Sequence, residues 1–261
     1  MPTELDNVLS ALHRSHDRLV ATVTALTGEQ VTGPSYDDDW TIAQVASHLG
    51  SGAQIFEKLV DAGVLQTPAP GVEEFHPVWD TWNAKAASEQ VRDLLPSDAS
   101  LLARVDALTP DERARWRLDV FGEERTLAGL LGMRLAEHTL HTWDIAVALD
   151  PTATVPDDAA ALVLGSLPAL VARAGKGTAE PVTVHVTASG PDVPFLLELT
   201  PDGAALGPAG PEAGSAQATL RLPAEAFVRL VYGRLDHDHT PADVEVSGVE
   251  LHRLRAAFPG V

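Results

Sequence analysis

"MRLAEHTLHTWDIAVAL", residues 133–149, decides how this chain of 261 residues is read. Leu135, Ile145 and Leu149, with Leu131 just ahead, recur at helical spacing, yet Glu137, His138, His141 and Asp144 fall within two turns. On a helix Glu137 and His141 are four apart and share a face, and Arg134 and Asp144 continue that stripe at spacings of three. The apolar stripe beside it faces a helical interior, so the polar stripe lies at the edge of the core or inside it. Buried carboxylate and imidazole groups are costly unless paired or bound to a metal.

Glu137 and His141 would supply two metal ligands, and a third must come from another helix, because His138 points roughly 100° away from Glu137 around the axis. His48 is the candidate. It lies mid-helix on the side of Val45, Gly52 and Ile55, and its small neighbours Ala46, Ser47, Gly50 and Ser51 leave room for an ion. His48 with Glu137 and His141 makes a His₂Glu set suited to zinc or a similar divalent metal, with a coordination position open to water or substrate. Spacing alone leaves plainer readings open: a solvated Glu–His pair and a hydrogen-bonded core His48.

Working outward, residues 4 to 26 carry helical apolar spacing that "TGEQVTGP" stops. "DDDWTIAQVASHLGSGAQIFEKLVDAG" begins acidic, and Thr41 with Gln44 forms a capping box for a second helix ending at Gly63. Residues 66 to 77 read as a loop that covers something. A third helical region runs from Val78 to Leu108, broken at "LPSD", and "RWRLDVFGEERT" reads as a hairpin turning at Gly122, with Thr126 capping the helix of the opening motif. Four main helices predict an antiparallel four-helix bundle.

After "LDPTATVPDD" the character changes. A helix from Ala159 to Ala174 leads to period-two segments in "VTVHVTAS", "FLLELT" and "ATLRLP". A helix in "AEAFVRLVYG", the segment "VEVSG" and a terminal helix follow, and "PDGAALGPAGPEAG" reads as a turn. The fold class is therefore α+β: a bundle domain over 1–152 and a smaller α+β domain over 153–261.

Composition narrows the function. With 37 Asp and Glu against 18 Lys and Arg, the formal charge of −19 repels a phosphate backbone, so nucleic acid is not an expected partner. The absence of Cys removes disulfides and a protein thiol nucleophile, so any thiol chemistry uses a thiol from outside. The N-terminus reads as neither signal peptide nor membrane anchor and the apolar runs are too short to span a bilayer, which predicts a cytoplasmic protein without membrane partners.

"DDDWTIAQVASHLG" followed by "RLAEHTLHTWDIAVAL" resembles the paired signature of the mycothiol-dependent maleylpyruvate isomerase family, within the wider DinB-like metal-binding bundles. The second half, with "AEAFVRLVYGRLD" and "VEVSG", is similar to that family's sterol-carrier-like C-terminal domain. The resemblance implies that His48, Glu137 and His141 hold a zinc ion, and that mycothiol, a low-molecular-weight thiol, attacks a small electrophile as a thiolate, in isomerisation or in S-transfer. Arg134 and Arg234 are the candidate catalytic cations for the developing negative charge, although Arg134 equally suits a pair with a bundle carboxylate; Arg234 is also placed at the cofactor, with Trp143 lining its pocket. Asp144 is expected to orient a ligand imidazole. A monomer or homodimer is expected.

Other groups carry plainer readings. "HDH" at 237–239 is a solvated loop, His13 and His16 are surface or helix-interface residues, and Trp40, Trp79, Trp82 and Trp116 are core anchors. Two rival functions stay open: a non-catalytic protein that uses the metal for structure or sensing, and a metal-dependent hydrolase needing no thiol.

Overall fold

The computed structural model describes residues 2–36 and 39–260, with the backbone alone at 212 and 213, so Asp37 and Asp38 of the expected acidic helix start lie outside the described residues. The chain divides into two compact units, Met1–Ala153 and Thr154–Val261. Among the described residues no helix is long and apolar enough to cross a membrane.

The first unit runs α1 (Glu4–Thr24), α2 (Gly28–Val31), α3 (Ile42–Leu65), α4 (Val72–Asn83), α5 (Ala87–Asp106), α6 (Pro110–Arg115), β1 (Arg117–Val120), β2 (Glu123–Thr126) and α7 (Leu127–Leu149). Helix starts follow local chemistry. Thr41 Oγ1 accepts from the Gln44 amide at 3.2 Å while Gln44 Oε1 accepts from the Thr41 amide at 2.8 Å, the reciprocal pair that satisfies free first-turn donors. The long helices pack pairwise in a closed cycle, α1 on α7, α7 on α3, α3 on α5 and α5 on α1, and α4 lies against α3. Leu19, Val45, Leu49, Leu94 and Ile145 fill the space they enclose.

Several expectations change. The break predicted at "LPSD" falls instead at Ala84–Ala86, and α5 passes through Pro96 uninterrupted. An interior proline costs about 3 kcal/mol of helix stability. Burial of Leu94, Leu101, Leu102 and Val105 outweighs that cost, and Ser97 Oγ donates to the Gly50 carbonyl at 2.9 Å. Residues 72 to 77, read as loop, form the first half of α4 because Phe75 and Trp82 bury there. Leu149, expected inside, is exposed. Gly50 and Gly52 do not make room for an ion: a Cβ on Gly50 would lie 2.2 Å from the Trp82 ring, and one on Gly52 would lie 2.9 Å from Arg134 Nη1.

One buried carboxylate ties these helices together. Asp98 on α5 sets Oδ1 2.8 Å from Arg134 Nη2, and Oδ2 2.8 Å from His16 Nδ1 and 3.0 Å from His138 Nε2. Arg134 Nη2 also donates to the Leu49 carbonyl of α3 at 2.9 Å, and Ser15 Oγ lies 2.8 Å from His138 Nδ1. All four long helices thus meet at one anion. Burial alone would push the Asp98 carboxyl up; the facing His138, His16 and Arg134 more than reverse this and hold it far below the usual range. Burial keeps the His138 imidazole below its ordinary value, whereas the hydrogen bond to Asp98 raises His16.

The second unit begins with α8 (Asp157–Val163), a 3₁₀ turn (Leu164–Ser166) and α9 (Leu167–Ala174), where a single helix was expected. Its sheet has the order β5-β4-β3-β6-β7, with β3 (Val182–Ser189) and β6 (Ala218–Pro223) parallel and the other pairs antiparallel. β4 is Val193–Thr200 and β7 Glu245–Ser247. β5 (Gly203–Pro208) lies inside the stretch read as a turn. Its Gly and Ala have weak strand preference, and pairing with β4, Leu206 opposite Leu197, overrides it. Helices α10 (Ala224–Val231) and α11 (Leu251–Ala257) complete the unit, and the buried Arg229 holds Glu225 through Nε at 2.7 Å and Nη2 at 2.8 Å.

Two predictions follow from the Asp98 node. Asp98→Ala leaves a buried guanidinium unpaired and lowers the unfolding free energy by about 3–5 kcal/mol, read by urea denaturation. For His16, a raised folded pKa means extra stability that is present below the unfolded value and lost as pH rises through the folded one. The stability gap between wild type and His16→Gln therefore narrows from pH 6 to pH 9, and a gap independent of pH would contradict the assignment.

Candidate metal centre and its cleft

His48 sits in the second turn of α3, and Glu137 and His141 sit one turn apart on α7. The ring cycle of helices brings these two elements together, and one ligand atom from each of the three residues lies within 4.8 Å of the others. Glu137 Oε2 is 3.1 Å from His48 Nε2 and 3.6 Å from His141 Nε2, and the two imidazole rings meet edge to face with centroids 4.5 Å apart. Two nitrogens and one carboxylate oxygen converge on a single point, which is the arrangement a divalent cation needs.

The electrostatics agree with that donor set. Burial lowers His48 below its ordinary value, favouring the neutral imidazole that can donate a lone pair, although the Glu137 hydrogen bond opposes it. Burial would raise the Glu137 carboxyl, but hydrogen bonds to His141 and His48 hold it well below the usual carboxylate range. Behind His141, the buried Asp144 sets Oδ2 2.8 Å from Nδ1, so Nε2 is the nitrogen left facing the centre. Trp40, expected as a core anchor, is only half-buried: its ring stacks 6.2 Å from His141 at 17° and 5.4 Å from His48.

His48 opens into a cleft of about 610 Å³ whose other wall is α4, through His76, Trp79, Asp80 and Asn83. Trp79 is thus a cleft residue as well as a packing one. A somewhat larger cavity of about 650 Å³ lies at the far end of α3 between residues 66–72 and the β1–β2 hairpin, and none of the three converging residues lines it. The segment read as one covering loop therefore splits: residues 66–71 border the remote cavity, and the helical residues from 76 onward border the cleft of His48.

Arg134 does not share the stripe of Glu137. Its side chain is fully buried on Asp98, the bundle-carboxylate pairing that the sequence left open. Trp143 is buried, donating its indole N–H to the Ala153 carbonyl at 2.9 Å and packing on Tyr36 at 4.9 Å. Arg234, half-buried in the second unit, donates from Nη1 to the Tyr232 carbonyl at 3.0 Å. His237 is exposed, and His13 meets Asp106 at the surface. His16, by contrast, is a member of the buried node. Sequence reasoning missed Asp98, although a signal existed: on a helix it falls in line with Leu94, Leu101 and Val105, a charge set in an apolar stripe.

A helical unit that brings two imidazoles and a carboxylate together, with His48 on a cleft, followed by a strand-rich unit, defines an α+β protein with a candidate metal centre. Residues 12–146 match the model of the mycothiol maleylpyruvate isomerase N-terminal domain, and residues 157–253 match that family's C-terminal domain. The chain belongs to the mycothiol-dependent maleylpyruvate isomerase family, a family of enzymes. Its fold is similar to a crystal structure of the mycothiol-dependent maleylpyruvate isomerase, at 16% identity and a TM-score of 0.68, covering 96% of this chain and 97% of that one. A histidine-to-alanine mutant of the same enzyme is similar at 15% identity, with the same TM-score and coverage. No curated protein matches this sequence.

Glu137 raises the His48 pKa that burial lowers. In chelator-treated protein, Glu137→Gln therefore moves the His48 imidazole titration further down, as followed by two-dimensional NMR of the ring protons; an unchanged or higher value would contradict the geometry.

Proposed function

We propose that this protein is a mycothiol-dependent isomerase acting on a small electrophile of the maleylpyruvate type, with a divalent metal, zinc by donor chemistry, held by His48, Glu137 and His141. The observation that carries this reading is the convergence of those three ligand atoms within 4.8 Å in a chain without a single Cys. The residues fit the ion: His48 is biased to its neutral form, Glu137 is ionised, and Asp144 occupies the far nitrogen of His141. A metal bound there would stabilise the incoming sulfur as a thiolate at neutral pH.

The chain's own residues do the rest. Asp144 fixes the rotamer and tautomer of His141, and the Trp40 ring packs beside both imidazoles. Mycothiol sulfur adds to one carbon of the activated cis double bond, which becomes a single bond and rotates. Elimination of the same sulfur restores the double bond as trans and regenerates the thiol, so nothing is consumed. The negative charge that develops between addition and elimination calls for a cation, and Arg234 is our assignment. Arg134 acts through Asp98 as a positioning residue, and Trp143 braces the end of α7.

Metal analysis of the purified protein is expected to find about one divalent ion per chain, lost in His48→Ala and in Glu137→Ala. Mycothiol titrated into the loaded protein should release a proton, and maleylpyruvate should be isomerised only when mycothiol is present. Asp144→Ala should weaken metal binding about 10–100-fold. A metal-free wild type, or bound metal indifferent to mycothiol, would move the reading to a structural or sensing role; hydrolysis without thiol would move it to a hydrolase.

A further inference from the structure

The last turn of α10 hands the chain to a short loop, residues 234–240, whose backbone carbonyls are taken up by arginines. α10 ends in a Schellman turn: the Gly233 amide donates to the Leu230 carbonyl at 3.1 Å, and the Arg234 amide to the Arg229 carbonyl at 2.6 Å. Gly233 has a φ of +73°, and a Cβ there would lie 2.4 Å from the Gly260 nitrogen, so the turn needs glycine. Beyond it two side chains grip the loop. Arg229, buried on α10, donates from Nη1 to the carbonyls of Arg234 at 3.4 Å and His239 at 2.7 Å. Arg255 of α11 donates from Nε to the Leu235 carbonyl at 2.6 Å, and from Nη2 to the Asp236 carbonyl at 3.0 Å and to Thr240 Oγ1 at 2.5 Å. Asp236 closes the loop from within, its Oδ1 accepting from the His239 amide at 2.8 Å.

The energetics point to what this grip is for. The Arg229–Glu225 pair is almost fully buried, and a buried ion pair adds little net stability over apolar packing of the same volume. What it supplies is direction: with Nε and Nη2 fixed on Glu225, Nη1 is aimed at the loop. The same residue therefore holds Arg234 from both sides, its carbonyl on the Arg234 amide and its guanidinium on the Arg234 carbonyl, and Arg255 takes the next two carbonyls along. Arg234 is the only Lys or Arg among residues 234–240. A fixed main chain matters most there, because a cation already in place meets developing charge without reorganisation. We propose that Arg229 and Arg255 are positioning residues for Arg234, fixing the backbone that carries the guanidinium assigned above to the charge between addition and elimination. This role rests on the isomerase reading, and both arginines act through Arg234.

The test is a double-mutant cycle on the full-length protein, turned over with mycothiol and maleylpyruvate. Arg229→Ala would strand the buried Glu225, so the cycle uses Arg255→Ala and the milder Thr240→Val, which removes the hydroxyl that meets Arg255 Nη2 and the Asp236 carbonyl. Arg255→Ala should lower kcat about tenfold and Thr240→Val about threefold, with KM for both substrates within about twofold of wild type. Arg255→Lys, which keeps the charge without the fork, should recover part of the loss. In an Arg234→Ala background, itself slower by about a hundredfold, both losses should vanish, since nothing is left to position. A purely structural role gives the same factors in both backgrounds; that outcome, or full activity in Arg234→Ala, would overturn the proposal. Amide exchange over residues 234–240 should quicken in Arg255→Ala while the interior of α10 keeps its protection, and exchange equal to wild type would overturn the clamp whatever the turnover. A wild type without mycothiol-dependent turnover sinks the isomerase reading and the positioning role with it, whereas turnover with additive losses sinks the positioning role alone.

Discussion

The carboxylate of Asp98 is the constraint on which the rest of the helical unit depends. An isolated charge at that depth would cost many kcal/mol, and the group would simply protonate. It stays ionised because α1 supplies His16, and α7 supplies both His138 and Arg134. The guanidinium reaches on to the Leu49 carbonyl of α3, one residue from His48. A register shift of any one long helix would leave a buried ion without its partner. The node therefore selects one packing among the many that apolar stripes alone would accept, and that packing sets His48 opposite Glu137.

The metal-type centre solves a related electrostatic problem in the opposite way. Around Asp98 both carboxylate oxygens are matched within the protein, by Arg134, His16 and His138. At Glu137 one oxygen faces two imidazole nitrogens, with His48 biased against carrying a proton, so the three groups form an acceptor-rich triangle that could hold a cation. Asp144 reinforces the asymmetry by engaging the outer nitrogen of His141. The two clusters lie on neighbouring faces of the same helix, and the stiffness of the first holds the second in readiness.

Much of this was legible in the sequence where the cause is local. The Thr41–Gln44 capping box, the Thr126 cap and the Gly122 turn depend on residues close along the chain, and they stand where the spacing puts them. The pairing of His48 with Glu137 and His141 needed more, because ligands from two helices 89 residues apart have no spacing rule; small neighbours and the resemblance pointed there. What could not be read was long-range. Pro96 looked like a break because its cost is local, whereas the burial of Leu94 and Leu101 that outweighs it is tertiary. Gly50 looked like space for an ion, but that space belongs to Trp82, a tertiary contact from a helix whose first half the sequence had placed in a loop. β5 exists through its partner strand more than through its own composition.

The opening puzzle, a core-like helix crowded with ligand-type side chains, resolves into two stripes. Arg134 and His138 are four apart and turn inward to Asp98. Glu137 and His141 are also four apart, rotated roughly 100° from His138, and turn toward α3 and the cleft, with Asp144 behind them. A spacing of three had joined Arg134 to Glu137, but on a real helix three residues fall short of a full turn, and that shortfall is enough to send the two side chains to different clusters. α7 is polar on two faces because it is the one helix that both closes the bundle and furnishes its reactive edge. Its first stripe must be satisfied inside the fold for the second to be left available to a ligand.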